Sequence, residues 1–191
     1  MASEPTQPCA LALVGMPGAR KTLCAMHLQE RGFFQFRFGS IVVDEVARRG
    51  LPLNPNNERI IREEFRAQDG MDAIAKRALP LLKQALGTHK SIIIDGLYSF
   101  AEYKTLKKEL GEDMIVVAIT APRNQRYARL AERRERPLTR AEAQERDFRE
   151  IEKIEKGGPI ALADYTLLND STPEDLLQKL DDLLAELQME P

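Results

Sequence analysis

The sequence predicts an α/β protein, a five-stranded parallel sheet with helices on both faces, giving three α/β/α layers. Three observations predict it. Short continuous apolar runs at residues 9–15, 91–95 and 113–120 read as strands buried on both sides. These runs alternate with longer segments of helical period. No repeat, low-complexity stretch or linker interrupts the alternation.

The elements follow in order. Residues 9–15 (CALALVG) form a strand that ends on glycine, and residues 20–31 a helix. Residues 33–38 (FFQFRF) form the second strand. Helical patterns cover 40–50, 56–69 and 71–86, and Pro80 is expected to kink or split the last of them. The run SIIID at 91–95 is the third strand and stops on a carboxylate. A helix at 100–110 leads to the fourth strand, 113–120. Helices at 122–135 and 140–156 follow, the second opened by the capping box Thr139-x-x-Glu142. Residues 164–168 make the fifth strand, and a helix at 173–188 packs its leucines on the sheet. In such sheets ligands sit beyond the carboxyl ends of the strands. That draws attention to Gly15, the 38–40 turn, Asp95, Thr120 and Asn169.

The 191 residues fit one domain spanning 1–191, and 43% hydrophobic residues supply a core. A net charge of −2 argues against a nucleic-acid partner. The two cysteines, Cys9 and Cys24, form no C-x-x-C pair, and His27 and His89 are too few for a zinc cluster. No apolar run reaches the ~18 residues of a membrane span. The first ten residues lack the basic start and apolar stretch of a leader, so residues 1–8 are expected to be a flexible tail and the protein cytoplasmic.

Gly15-Met16-Pro17-Gly18-Ala19-Arg20-Lys21-Thr22 follows the first strand and opens the first helix, the setting a phosphate-binding loop requires. Its N–H groups and the helix N-terminus would face a polyanion, Lys21 would reach the terminal phosphates, and the Thr22 hydroxyl would hold Mg2+. The motif wants glycine where Arg20 stands. Arginine there costs about 1–2 kcal/mol if the left-handed backbone is kept. Two cations at a helix N-terminus are also unfavourable unless an anion sits before them.

Asp95, at the tip of the third strand, suits a metal-held water or an acceptor hydroxyl; alone it would read as a turn aspartate before Gly96. Arg126, Arg129, Arg133 and Arg136 step by three, four and three, one narrow stripe if the helix runs on. Pro137 then ends that helix, so residues 134–142 form the tip of an arginine-rich flap. Interspersed glutamates leave open the alternative of a solvated charged face.

GMPGARKT, SIIIDGLYS, APRNQRYARLAERRERPLTRAEAQERD and ADYTLLND together resemble the P-loop nucleoside monophosphate kinase superfamily. Within it they are similar to the dephospho-coenzyme A kinases and the related archaeal adenylate-kinase-like proteins. The resemblance covers about residues 9–188. It implies a P-loop NTPase fold with ATP and Mg2+ as cofactors, a helical acceptor-binding region at 40–87 and a lid at 134–142. It implies that Gly15, Gly18, Lys21 and Thr22 hold the donor phosphates, with Thr22 and Asp95 at the metal; Arg20, which departs from the pattern, is a further cofactor-binding candidate. Lys21, Asp95, Arg133 and Arg136 would be catalytic, and Arg129 and Asn169 would lie by the donor base. The partners implied are a nucleotide donor and a nucleotide-like acceptor, to a monomer or homodimer.

The chain departs from that pattern at the acceptor. The related kinases usually read Gly-Asp-x-x-Arg where this chain has Gly39-Ser40-Ile41-Val42-Val43, and often place an arginine where Tyr98 stands. Ser40, Asp44, Arg66 and Tyr98 are the acceptor-side candidates that remain. Two readings therefore stand. One is an ATP-dependent kinase acting on a nucleoside monophosphate or dephospho-coenzyme A. The other is a catalytically impaired relative that serves as a nucleotide sensor or binding module. A third, a phosphometabolite- or RNA-binding protein, rests on the arginine stripe alone.

Overall fold

The computed structural model describes residues 10–191. The expected tail at 1–8 and the strand start at Cys9 lie outside the described residues. The strands are β1 (Ala10–Val14), β2 (Phe34–Arg37), β3 (Ile92–Asp95), β4 (Met114–Thr120) and β5 (Tyr165–Leu168). They form one sheet in the order β2-β3-β1-β4-β5, every neighbouring pair parallel.

Strand periodicity divides the core into two. Ala10, Ala12, Val14, Ile92, Ile94, Val116 and Ala118 point to one face. There they pack on α2 (Phe38–Arg48), α3 (Pro55–Asp69), α4 (Ala73–Leu86) and α5 (Phe100–Leu110). Leu11, Leu13, Ile93, Val117 and Ile119 point to the other, against α1 (Lys21–Glu30) and α9 (Pro173–Glu186). The predicted three-layer architecture is thus the observed one. His27 of α1 and Arg31, just past its end, share Asp181 of α9, which ties the two helices of that second layer together.

Three expectations are corrected. The helix expected at 122–135 is α6 (Arg123–Ala131), four residues shorter at its end. Beyond it the chain turns so that Leu138 packs on Tyr127, Leu130 and Ala143, and Leu138 N–H donates to the Leu130 carbonyl at 3.1 Å. Arg133 and Arg136 therefore lie past the helix, not on its stripe, and Arg136 has a positive φ of 52°. Pro80 does not split α4, which runs through it. A five-residue helix, α8 (Gly157–Ala161), was not foreseen; it follows α7 (Arg140–Ile154). No helix among the described residues is long and apolar enough to cross a membrane.

Candidate active site

The loop between β1 and α1 is shaped by what surrounds it. Gly15 has φ 148°, and a methyl group there would lie 2.3 Å from the Ile119 carbonyl oxygen. Gly18 has φ 80°, and a methyl group there would lie 2.6 Å from the Arg126 carbonyl oxygen. No side chain fits at either position. Arg20, the last residue before α1, keeps the left-handed backbone with φ 75° and ψ 27°. The loop therefore retains the conformation that glycine would adopt and accepts the strain.

Three side chains far away in sequence hold this loop. Arg126, 7% exposed, donates to the Pro17 carbonyl at 2.9 Å and makes a two-point contact with the Asp147 carboxylate at 3.1 and 2.6 Å. The Tyr127 hydroxyl donates to the same carboxylate. Arg129 donates to the Gly18 carbonyl and to the Asn169 backbone and side-chain oxygens. Asn169 is fully buried and donates its amide to the Ala19 carbonyl at 2.9 Å. Asn169, expected beside the donor base, thus braces the loop from behind. Its burial at the end of β5 leaves no polar atom facing outward.

In front of the loop lies a cavity of about 360 Å³. Residues 17–23, Asp95, Tyr98, Arg129, Arg133, Arg146 and Lys156 line it. The Lys21 ammonium folds back onto the loop and donates to the Gly15 carbonyl at 2.6 Å. Burial, followed by the charge of Lys156, lowers its pKa to about 7; Glu150 and Asp95 oppose the shift. Burial raises the Asp95 pKa, against the pull of Lys21, Arg37 and a hydrogen bond from Gln35 at 3.0 Å. Lys156, only 4% exposed, pairs with Glu150, which also accepts from Arg146 at 2.9 Å.

Six cations (Arg20, Lys21, Arg129, Arg133, Arg146 and Lys156) thus line one cavity with a single carboxylate, Asp95. Thr22 and Asp95 line it too, so a hydroxyl and a carboxylate are available to a hard cation. Mg2+ usually takes one or two protein oxygens and completes its shell with phosphates and water, and this pair fits that demand. Among the described residues no cluster of three or more His, Cys, Asp or Glu could hold a metal by itself.

The acceptor-side candidates separate. Tyr98 lines the main cavity and also a small adjoining one of about 40 Å³, with Arg62, Arg66, Glu102 and Phe38. The buried Nε of Arg66 has no hydrogen-bond partner among the described residues. Ser40 and Asp44 are not brought there. The Ser40 hydroxyl donates to the Arg37 carbonyl, and Asp44 lines a separate groove with Glu45, Arg48 and Arg77. Arg136 stands exposed in the 132–139 turn and lines neither cavity.

Sequence reasoning missed Arg62, Arg146, Asp147, Glu150 and Lys156. Arg146 and Glu150 stand four apart on α7 and resemble an ordinary surface pair; only the fold turns them inward.

A family profile described as AAA domain matches residues 11–155. A UPF0200/UPF0201 protein of Archaeoglobus fulgidus is 34% identical over 179 residues, which are 93% of this chain and 55% of that protein. The chain thus spans about half the length of that relative. A UPF0200 protein of Thermococcus onnurineus is 31% identical over 183 residues, 94% of this chain and 98% of its own. Among solved structures, the shikimate kinase of Acinetobacter baumannii in complex with shikimate superimposes with a TM-score of 0.57 at 21% identity, covering 97% of each chain. A gluconokinase of Sinorhizobium meliloti gives 0.55 at 12% identity, covering 95% of this chain and 94% of its own. These likenesses show a shared fold. With its phosphate loop, parallel sheet and matched profile, the chain belongs to the AAA-domain family of P-loop proteins, on a P-loop kinase fold and with UPF0200 proteins as its relatives.

Proposed function

We propose that this protein is an ATP-dependent small-molecule kinase. It transfers the γ-phosphoryl group to a nucleotide-like acceptor, a nucleoside monophosphate or dephospho-coenzyme A. The observation that carries the reading is the single cavity in which Lys21, Thr22 and Asp95 meet five arginine and lysine side chains at the end of a phosphate loop. Such a cationic excess suits polyphosphate and little else.

In the mechanism, N–H groups of the 15–22 loop, other than Pro17, which has none, and Ala19, which donates to the Met16 carbonyl, hold the β- and γ-phosphates together with the N-terminus of α1. Lys21 leaves the Gly15 carbonyl and turns to them. Mg2+, held by Thr22 and Asp95, would neutralise charge on the transferring group. Arg129 and Arg133 face the phosphates from the α6 side, and the 134–142 flap, with Arg136, closes over them and excludes water. The acceptor oxygen, a hydroxyl of dephospho-coenzyme A or a phosphate oxygen of a nucleoside monophosphate, forms the new bond to the γ-phosphorus as the bond from that phosphorus to the β–γ bridging oxygen breaks, and ADP leaves with the bridging oxygen. Where the acceptor is a hydroxyl, Asp95 accepts its hydrogen bond and then its proton. On the acceptor side, Arg66, joined by Arg62 and Tyr98, takes the place of the family arginines that this chain lacks.

The test is phosphotransfer from MgATP to a panel of ribo- and deoxynucleoside monophosphates, dephospho-coenzyme A, shikimate and gluconate. Turnover on one acceptor, abolished in Lys21→Ala, is the expected result. ATP binding without turnover on any acceptor would favour the impaired relative acting as a nucleotide sensor.

A further inference from the structure

Lys156 has no place in the mechanism above, yet it is the most deeply buried cation of the cavity. Its exposure is 4%, and its ammonium pairs with Glu150 while lying 4.9 Å from the centre of the Tyr98 ring. Tyr98 forms the wall shared by the main cavity and the small one that holds Arg62 and Arg66. Lys156 therefore stands where the two cavities meet. Arg129, another lining cation, is tied to the loop through Gly18 and Asn169.

A buried ion pair is a weak device for stability, because desolvation offsets much of the attraction. This one is also incompletely matched. Glu150 accepts from both Lys156 and Arg146, so one carboxylate serves two cations, and Lys21 adds a third charge nearby. The excess charge is open to the cavity, not sealed away from it, since Lys156, Arg146 and Lys21 all line it.

We infer that Lys156 is a catalytic residue of this site: its ammonium contacts the terminal phosphoryl group of the donor at the boundary with the acceptor. Glu150 is a positioning residue that aims it. The inference rests on the kinase reading and extends it. During transfer, Lys156 faces the equatorial oxygens of the moving group alongside Lys21. Charge fixed there before the reaction stabilises the transferring group without reorganisation. Glu150 keeps both Arg146 and Lys156 while the remaining ammonium hydrogens of Lys156 meet phosphate, so the carboxylate is never left alone.

The placement makes a prediction that a structural role does not. Binding of ADP and of the non-hydrolysable β,γ-methylene analogue of ATP, both with Mg2+, is measured by calorimetry on the full chain. The variants are Lys156→Met, Lys156→Arg and Lys21→Met. Lys156→Met is expected to weaken the triphosphate analogue at least tenfold while ADP stays within twofold, and Lys156→Arg is expected to recover most of the loss. Lys21→Met is expected to weaken both ligands. Equal losses for both ligands in Lys156→Met would reduce Lys156 to a structural residue and overturn the inference. So would no loss for either while Lys21→Met still weakens both, with the kinase reading intact. Indifference of both ligands to both lysines would overturn the kinase reading itself. If Lys156→Met fails to fold because Glu150 is stranded, the double variant Glu150→Gln/Lys156→Met removes the charge together with its partner. The same ADP-versus-triphosphate ratio then decides.

Discussion

Replacing Asp147 with alanine should be among the most destabilising single changes in the protein, although Asp147 touches no expected ligand. Its carboxylate, 5% exposed, accepts two hydrogen bonds from Arg126 at 3.1 and 2.6 Å and one from Tyr127 at 3.2 Å. Asp147→Ala strands a buried guanidinium whose other partner is the Pro17 carbonyl. Breaking a buried pair from one side costs about 3–5 kcal/mol. Arg126→Met should cost about as much by stranding the carboxylate. The double variant Arg126→Met/Asp147→Leu removes both charges, and apolar replacement of a whole pair is often neutral. It still leaves the Pro17 carbonyl without its donor and the Tyr127 hydroxyl without its acceptor, so a loss of about 1–3 kcal/mol for each orphaned group remains. Urea denaturation, followed by far-UV circular dichroism with the slopes compared, measures all three. The double variant should be more stable than either single one. The nucleotide affinity of that well-folded double variant should nevertheless fall, because Pro17 lies in the phosphate loop. Additive losses, or a loss below about 1 kcal/mol in Asp147→Ala, would refute the clamp.

Three other outcomes are expected. Lys21, with a pKa lowered to about 7, is largely neutral in the free protein at alkaline pH, and a bound polyanion restores its proton. Tripolyphosphate affinity should therefore be flat below about pH 7 and fall above it, by up to about tenfold per unit. Calorimetry in buffers of different ionisation enthalpy should show uptake of about one proton at pH 8.5, and Lys21→Arg should flatten the profile; a flat wild-type profile from pH 7 to 9 would contradict this. Asn169→Ala leaves the Ala19 carbonyl unpartnered and should cost about 1–3 kcal/mol in urea denaturation, weakening ATP and GTP alike. A switch in base preference would instead place Asn169 at the base. Pro80→Ala, on the exposed side of α4, should stabilise the fold by about 2 kcal/mol and raise Tm by about 4–8 °C in a scanning calorimeter. An unchanged or lower Tm would mean that the proline ring packs usefully.

Legibility in the sequence followed the range of the interactions. Strand runs such as SIIID and the Thr139–Glu142 capping box are local signals, and β3 and α7 appear where they indicate. The phosphate loop was legible for the same reason. The α6 stripe had the right period but the wrong end. What ends α6 is the burial of Leu138 against Leu130 and Ala143, a contact with the next helix that period alone does not show. α8 was hidden because GGPIA is short and glycine-rich. Arg126 and Asp147 lie 21 residues apart and meet only when α6 and α7 fold together. Lys156 looks like any polar residue after a helix. Only the approach of α8 to α5, where a methyl group on Gly158 would press on the Phe100 ring at 2.7 Å, fixes the segment that carries it.

Arg20 gathers these threads. Its left-handed backbone costs about 1–2 kcal/mol compared with glycine. Its guanidinium carries a buried Nη1 with no hydrogen-bond partner among the described residues, and it repels Arg129. It also stands at a helix N-terminus, where a cation is disfavoured. A loop that had merely decayed would be free to relax each of these. This one is not free, because Gly15, Gly18, the Arg126 clamp and Asn169 dictate the path of the backbone through residue 20. The strain is thus imposed by the same scaffold that builds the phosphate cradle. One class of ligand removes the electrostatic penalties together: a polyanion in front of α1 satisfies the orphaned nitrogen, screens Arg129 and complements the helix terminus. On the kinase reading proposed above, arginine in place of glycine would supply an additional donor-phosphate contact within an intact loop.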